Sequence, residues 1–512
     1  MKRLLFLTVF AYLLIGCDNN TDYSGTNDWS FELPGCINFC PPEPTPTPEL
    51  ESCTDFFQQE VLGHCIYAIS KAQELSSLDG LETVNRNVAL SGMTNDNLLA
   101  LENLTTIHGH LFIQNNPELT SLEGLKNLSH VSGQLVIQNN GVLANLSGLE
   151  NLRHVESLTI ISNGALTNFD ALGGLEEVRN GEITINHNPS LVSLFGLSGV
   201  RNVENLTIQS NNNLENLIGL ENIENLTDLS VSSNAILKSM WGGDVVDGLV
   251  NVSINDNPLL SDLSPIFDSS KIISVDIKNN AEPLVVPSDR SGITLEKLQV
   301  QNVDGLFNPS FNQNFDHIKE LDLLDYDKID FNLLYGISVE TLVINFAQNL
   351  MSLDGLNVDN LTSIELAHVN SLVDASILRD AQNLQLFSLN NAAQLESIDI
   401  FSMSAPLIDI HLSGLSRIED LSGLEFLTDI YSLRITDCES LVSLNGLNNL
   451  RSVSNIFITA NNSLNDISAL DELTSVDETF VIRGSSICES DLNSLQQRLD
   501  RSNASNVSRK DC

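Results

Sequence analysis

The chain has 512 residues, more than one hydrophobic core organises, so it must divide into domains or run as a repeat array. Apolar residues make up 42 % but aromatic ones only 5 %, which disfavours an activity built on stacking bases or sugars against rings. With 24 Lys and Arg against 67 Asp and Glu the formal charge is −43, which repels phosphate backbones and excludes nucleic acid as a partner.

The N-terminal stretch MKRLLFLTVFAYLLIGC places two basic residues before an apolar run from Leu4 to Ile15, followed by Gly16 and Cys17. That run is short for a bilayer span and has the form of a secretory signal, residues 1–16. Its end, Leu14-Ile15-Gly16-Cys17, resembles a bacterial lipobox. The resemblance implies cleavage before Cys17, acylation of that residue with palmitate-type chains, and a lipid anchor in the bacterial cell envelope. An ordinary signal with an incidental cysteine is the alternative. Residues 17–52 read as a stalk, because CPPEPTPTPELE at 40–51 alternates Pro with Glu and Thr and favours extended polyproline backbone. A stalk lifts the rest of the chain off the membrane, so the expected location is surface-exposed, at the outer membrane.

Residues 53–74 are an N-terminal cap in which Cys53 and Cys65 bracket TDFFQQEVLGH. From about 75 to 485 one phrase recurs. An apolar-x-apolar unit begins at 88, 111, 135, 158, 183, 206, 229, 252, 275, 298, 321, 342, 364, 387, 408, 433, 456 and 480. Two apolar residues two apart share one face of a short strand. Leu143, Leu146, Leu149, Leu152 and Val155 then follow at a spacing of three, which suits 3-10-like turns better than an α-helix. A coil of this kind cannot bury itself, but a stack can, so the predicted fold class is a β-rich, right-handed parallel solenoid of about 18 coils. Asn116, Asn140, Asn163, Asn188, Asn211, Asn234, Asn257 and Asn280 stand five residues after successive strand starts. An inward amide there satisfies backbone groups at the bend, so a stacked Asn ladder is expected. In the section 283–415 the slot holds Tyr326, Ala347, Val369, Ala392 and Ser413, which predicts an irregular middle with a bend or seam. Cys438 takes the slot in a later coil, and Asn461 restores it.

Units such as LTSLEGLKNLSHVSGQLVIQNN (119–140) and LVSLNGLNNLRSVSNIFITANN (441–462) resemble the bacterial receptor L-domain-like leucine-rich repeat proteins. The shared pattern is N-x-x-L-x-x-L-x-G-L-x-x-L-x-x-V-x-x-L-x-I. The resemblance covers residues 75–485 and implies a recognition surface, while leaving the ligand open.

Residues 486–512 close the far end. Ser486-Ile487-Cys488-Glu489 fits a capping box, and Leu492, Leu495 and Leu499 follow at helical spacing. Export permits disulfides. Lipidation of Cys17 leaves an odd number of the 8 cysteines. Cys438 is the candidate free thiol, and Cys488–Cys512, Cys53–Cys65 and Cys36–Cys40 are candidate bridges.

No metalloprotease, nucleophile-elbow, phosphate-loop or paired C-x-x-C motif occurs, and neither an enzyme nor a cofactor is expected. His108-Gly109-His110 offers two metal ligands but reads more simply as loop and strand histidines. Asp322, Asp325, Asp327 and Asp330 crowd one coil and pose a Ca²⁺ question, although they lack the Gly and Glu of an EF-hand loop. The residue between each apolar pair points outward, giving Phe112, Val136, Thr159, Thr184, Thr207, Ser230, Ser253, Asp276, Gln299 and Asp322. The expected function is therefore a cell-surface lipoprotein that binds or adheres to a protein or glycan partner through that face. A passive structural envelope lipoprotein without a specific ligand is the alternative.

Overall fold

The structure, a computed structural model, describes residues 77–240, 248–267, 269–281, 292–302, 315–326, 329–401 and 406–499, with Leu75, Phe311 and the strand backbone at Gln58–Val61 and His64–Ile69. All belong to the unit Cys53–Cys512. The expectations for Cys17, Cys36, Cys40, Cys53 and Cys512 fall outside these residues.

Every predicted repeat contributes a strand. From Asn87–Leu90 to Ser475–Arg483 eighteen strands stack in parallel, each hydrogen-bonded to its neighbours in successive coils. Leu135 pairs with Leu158 and Ile137 with Ile160, and all four are fully buried. Leu143, Leu146, Leu149, Leu152 and Val155 line the same interior. Their backbone N–H groups donate three residues back, Leu149 to Leu146 and Leu152 to Leu149 at 3.1 Å each, which is the 3-10 geometry a spacing of three requires. Burying a leucine contributes about 1.5–3 kcal/mol, and each coil gains it only because its neighbours cover its two faces.

The turn out of the strand is built from two residues. The fourth residue after each strand start has positive φ in all eighteen coils: Gly92, Gly414 and Gly484, and otherwise mostly Asn, Ser, Asp and His, such as Asn115, Ser162, Asp256 and His187. Short polar side chains tolerate this left-handed region best. Phe346 (φ 60) and Ala460 (φ 59) occupy it as well, held there by the stack on either side. The fifth residue is the inward Asn. Asn188 Oδ1 accepts from the Asn163 backbone N–H at 3.0 Å and from Asn163 Nδ2 at 3.2 Å, and Asn188 Nδ2 donates to the Ile160 carbonyl at 3.0 Å. The same bonds join Asn116 to Asn140, Asn140 to Asn163, Asn211 to Asn234, Asn234 to Asn257 and Asn257 to Asn280. All eight amides are buried.

Cys438 fills this slot by imitation. Its N–H donates to Asn461 Oδ1 at 2.9 Å, its sulfur accepts from the Leu415 backbone, and its S–H faces the Thr436 carbonyl at 3.5 Å. It is a free, buried thiol.

A third corner also repeats. Ten residues after the strand start an Asn, Asp or Ser side chain accepts from the N–H two residues on, as in Asn145 to Ser147, Ser193 to Phe195, Asp374 to Ser376 and Asp466 to Ser468. These Asx- and Ser-type turns open the 3-10 segments. The Gly of the repeat comes next. A Cβ on Gly196 would lie 1.7 Å from the Phe169 carbonyl oxygen of the preceding coil, so close stacking admits no side chain there.

One repeat is displaced by two residues from its expected place. Ile408, Ile410 and Leu412 alternate, and the periodicity predicts a strand start at 408. The strand is Asp409–Ser413, Ile410 pairs with Phe387 and Leu433, and Ile408 is 43 % exposed. Gly414 at φ 63 marks the true turn, which puts Leu415, not Ser413, in the Asn slot. Three alternating apolar residues offer two registers, and the turn chooses between them.

The middle section lacks inward amides, as expected, with Tyr326, Ala347, Val369 and Ala392 buried in the slot. The strand ladder nonetheless runs through it, with one register shift between Ile293 and Thr294. Phenylalanines fill the interior there: Phe311 stacks on Phe315 at 4.2 Å, and Phe387 meets Phe401 edge-on at 4.8 Å.

At the N-terminal end an antiparallel hairpin, Gln58–Val61 with His64–Ile69, adds its second strand in parallel to Asn87–Leu90. At the other end the helix Glu489–Arg498 buries Leu492 and Leu495. Its N-cap is Cys488, so the expected capping box does not form; Ser486 instead donates its hydroxyl to the Asn462 carbonyl at 2.7 Å. Cys488 is disulfide-bonded.

Replacing Asn188 with Ala leaves the Asn163 N–H and the Ile160 carbonyl without their amide partner inside the stack. The expected local destabilisation is about 1–3 kcal/mol, read as faster hydrogen exchange at the Asn163 amide while amides near Asn461 keep their rates.

Candidate ligand-binding face

Because the strands are in register, every second side chain forms an outward row. Thr159, Thr184, Thr207, Ser230 and Ser253 pair across consecutive strands and are partly exposed. Phe112 lies two coils before Thr159, with its ring 5.9 Å from His110. Gln134 Nε2 donates to Thr159 Oγ1 at 2.9 Å, so the hydroxyl row is partly engaged by its own sheet. Between Thr159 and Phe112 the row is interrupted by Val136, which is buried.

Past Ser253 the row turns ionic. Asp276 accepts from Asn255 Nδ2 at 3.2 Å and pairs with Lys278 at 3.0 Å. Lys297 bridges Asp322 at 2.6 Å and Glu320 at 2.5 Å. Desolvation pulls the Lys297 ammonium down, but hydrogen bonds and charge from Asp322 and Glu320 outweigh it and hold the group above the ordinary lysine range. The row continues in register through Val343, Glu365, Ser388, His411, Arg434, Phe457 and Val481. The C-terminal part was legible by extending the same alternation, except at one point. The displaced repeat would have put Asp409 in the outward slot where His411 stands.

The candidate metal ligands among the described residues do not converge, and Asp327 lies outside those residues. His110 Nδ1 accepts the Gln134 N–H at 2.9 Å, whereas the His108 ring lies 6.4 Å from that of His130. Asp322 pairs with Lys297, Asp325 accepts from Gln301 at 2.9 Å, and Asp330 caps the 3-10 turn through the Asn332 N–H at 3.0 Å. Among the described residues no group of three or more His, Cys, Asp or Glu is placed to hold a metal ion. Burial pushes the Cys438 thiol up to about 11, so the free cysteine is a poor nucleophile. Two shallow depressions lie off the sheet face, about 540 Å³ beside Glu396, Arg417 and Glu419 and about 370 Å³ beside Glu204, Glu224 and Lys271. Among the described residues no helix is long and apolar enough to cross a membrane.

A histidine row is only half visible in the sequence, because His130 and His154 share a repeat position while His108 stands two residues past the matching Thr106. The rings of His108, His130 and His154 succeed one another on successive coils at 6.4 and 5.7 Å, with His154 3.2 Å from Glu177. Burial, then Arg179 and the two flanking imidazoles, hold His130 below the ordinary histidine range against the opposing charge of Glu177. A depressed folded value means that the unfolded chain takes up the proton first. Neutral His130 therefore supports the fold fully above about pH 6.5, and that support is lost as pH falls through the folded value. Protection factors, meaning exchange rates corrected for the intrinsic slowing of amide exchange at lower pH, are expected to fall in residues 106–160 between about pH 7 and pH 5, and His130→Gln is expected to flatten that dependence.

Residues 105–198 match the family model described as Receptor L domain. No curated protein matches the chain in sequence. Among solved structures, the chain resembles a leucine-rich repeat protein of Leptospira interrogans at 16 % identity, covering 85 % of this chain and 98 % of that one with a TM-score of 0.29. It also resembles a leucine-rich repeat protein of Bacteroides thetaiotaomicron (12 % identity, 80 % and 50 % covered, TM-score 0.36) and the functional domain of InlJ from Listeria monocytogenes (13 %, 81 % and 72 %, 0.29). The family match and the observed register identify the architecture as a receptor L-domain-like leucine-rich repeat solenoid.

Proposed function

We propose that this chain is a lipid-anchored protein of the bacterial cell envelope, exposed at the outer membrane, whose sheet face captures a protein or glycan partner. One observation carries the reading: eighteen strands in parallel register lay out long rows of outward side chains whose identities vary while the interior repeats. A leucine-rich solenoid of this kind is typically a binding scaffold, and the interior explains why. The chemistry that builds the stack lies mainly inward, on apolar side chains and buried amides, which leaves most outward side chains free to serve a ligand. The anchor rests on Leu14-Ile15-Gly16-Cys17 and on the Pro-rich segment after it.

Cells expressing the chain are expected to incorporate labelled palmitate, and Cys17→Ala is expected to abolish it; unchanged labelling in that variant refutes the anchor. For the face, the triple substitution of Thr159, Thr184 and Thr207 by Lys is expected to abolish capture of envelope or host-surface components. The near-isosteric Thr→Val triple removes the hydroxyls without adding charge and is expected to weaken capture with the circular dichroism unchanged. Capture that never exceeds a scrambled-face control refutes the binding face and favours the passive envelope role instead.

A further inference from the structure

In a chain with 67 acidic and 24 basic residues, cations find carboxylates easily. Arg153, Arg201, Arg379, Arg417, Arg451 and Arg498 each lie within 4 Å of a Glu or Asp. Arg434 does not. Among the described residues no carboxylate pairs with it, and its guanidinium carbon sits instead 4.5 Å from the centroid of the Phe457 ring on the next strand. The side chain is exposed, and its N–H groups have no carboxylate partner among the described residues.

The neighbours of Arg434 along the strands are mostly neutral polar side chains. His411 is opposite Arg434 on the preceding strand. Burial, then the charge of Arg434, keep its ring below the ordinary histidine range. Ser432 and Thr436 flank Arg434 along its own strand, and Asn455 and Thr459 flank Phe457. Thr436 Oγ1 donates to Ser413 Oγ at 2.9 Å. The acids nearby are otherwise placed: Asp409 opposes Ser432 in the adjoining row, and Glu478 accepts from Asn455 at 2.8 Å and from the Tyr431 hydroxyl at 3.5 Å.

We propose that the sheet face at His411, Arg434 and Phe457 is a binding site for the carboxylate of an acidic sugar, a uronate carried on a glycan whose other sugars are neutral. An outward guanidinium fork is suited to a planar carboxylate, which it takes by two parallel hydrogen bonds. The net charge of −43 selects against a dense polyanion, because repulsion accumulates with every added charge. An isolated carboxylate senses mainly the charges within about 10 Å at 0.1 M salt, and Arg434 offers it a cation with no carboxylate partner of its own among the described residues. An extended peptide is disfavoured, since the strand bearing His411 is paired on both edges and offers it no backbone ladder. This site rests on the binding reading given above but lies apart from the threonine row, so the two can fail separately.

The test measures the full chain against hyaluronan oligosaccharides, in which uronate alternates with a neutral amino sugar, and against the same oligosaccharides with their carboxyl groups reduced. Binding is expected to the first and not the second, and Arg434→Gln is expected to weaken it about tenfold or more. Arg417→Gln, which removes an arginine already paired with Glu396, is expected to change nothing. Equal binding by Arg434→Gln, equal binding of the reduced glycan, no binding to the uronate probe, or preference for a poly-glutamate peptide overturns the site. If the threonine triple variants lose the uronate probe while Arg434→Gln retains it, the sheet face is still the ligand surface and this assignment alone is wrong.

Discussion

Everything in this solenoid depends on leaving the strand in the same way eighteen times. A chain that has run along one face must turn sharply, and the turn strands backbone donors and acceptors inside the stack. The solution is a residue in the left-handed region followed by an inward amide. Asn188 takes the N–H of Asn163 and gives its own protons to the carbonyls of Ile160 and Asn186, so one side chain serves two coils. The bonds run from each coil to its predecessor, which makes the ladder a device for stacking as much as for turning. Where the amide is replaced, the replacement shows which part matters. Cys438 keeps an acceptor for the Leu415 N–H and a donor toward Thr436, and the strands on either side keep their register.

The same economy separates structure from function. Leucines at a spacing of three, the buried amides and the glycine pressed against the preceding carbonyl all serve the interior. The outer rows are released from that duty, and they change character along the stack. Hydroxyls from Thr159 to Ser253 give way to ion pairs around Asp276, Lys297 and Asp322, and then to His411, Arg434 and Phe457. In so acidic a chain the placement of individual cations carries more information than the total. Lys297 is neutralised by two carboxylates, whereas Arg434 rests on a ring and keeps its charge for the solvent side. Phe346 makes a related point at a corner, where it accepts an unfavourable φ of 60 and stacks on His368 at 4.3 Å. A lone phenylalanine in that conformation costs about 1–2 kcal/mol, and the fixed path of the stack imposes it.

Much was determined by the sequence alone. The period, the parallel stack, the interior residues, the Asn ladder and the helical cap come from spacing, because an apolar pair two apart and leucines three apart leave one way to face a common core. Only the tertiary structure decided which side chains meet. His130 and His154 share a repeat position but His108 stands two residues past the matching Thr106, and neither a capping box at Ser486 nor a strand start at Ile408 survived the packing around them. Between Ile408 and Ile410 the local alternation is satisfied either way, and the choice falls to Gly414 and to the strands above and below. That shift of two residues exchanges Asp409 for His411 in the outward row and so removes a negative charge from the slot beside Arg434. Groups some twenty-three residues apart in the chain touch only once the coils are stacked, and register, a property of the whole stack, sets which of them do.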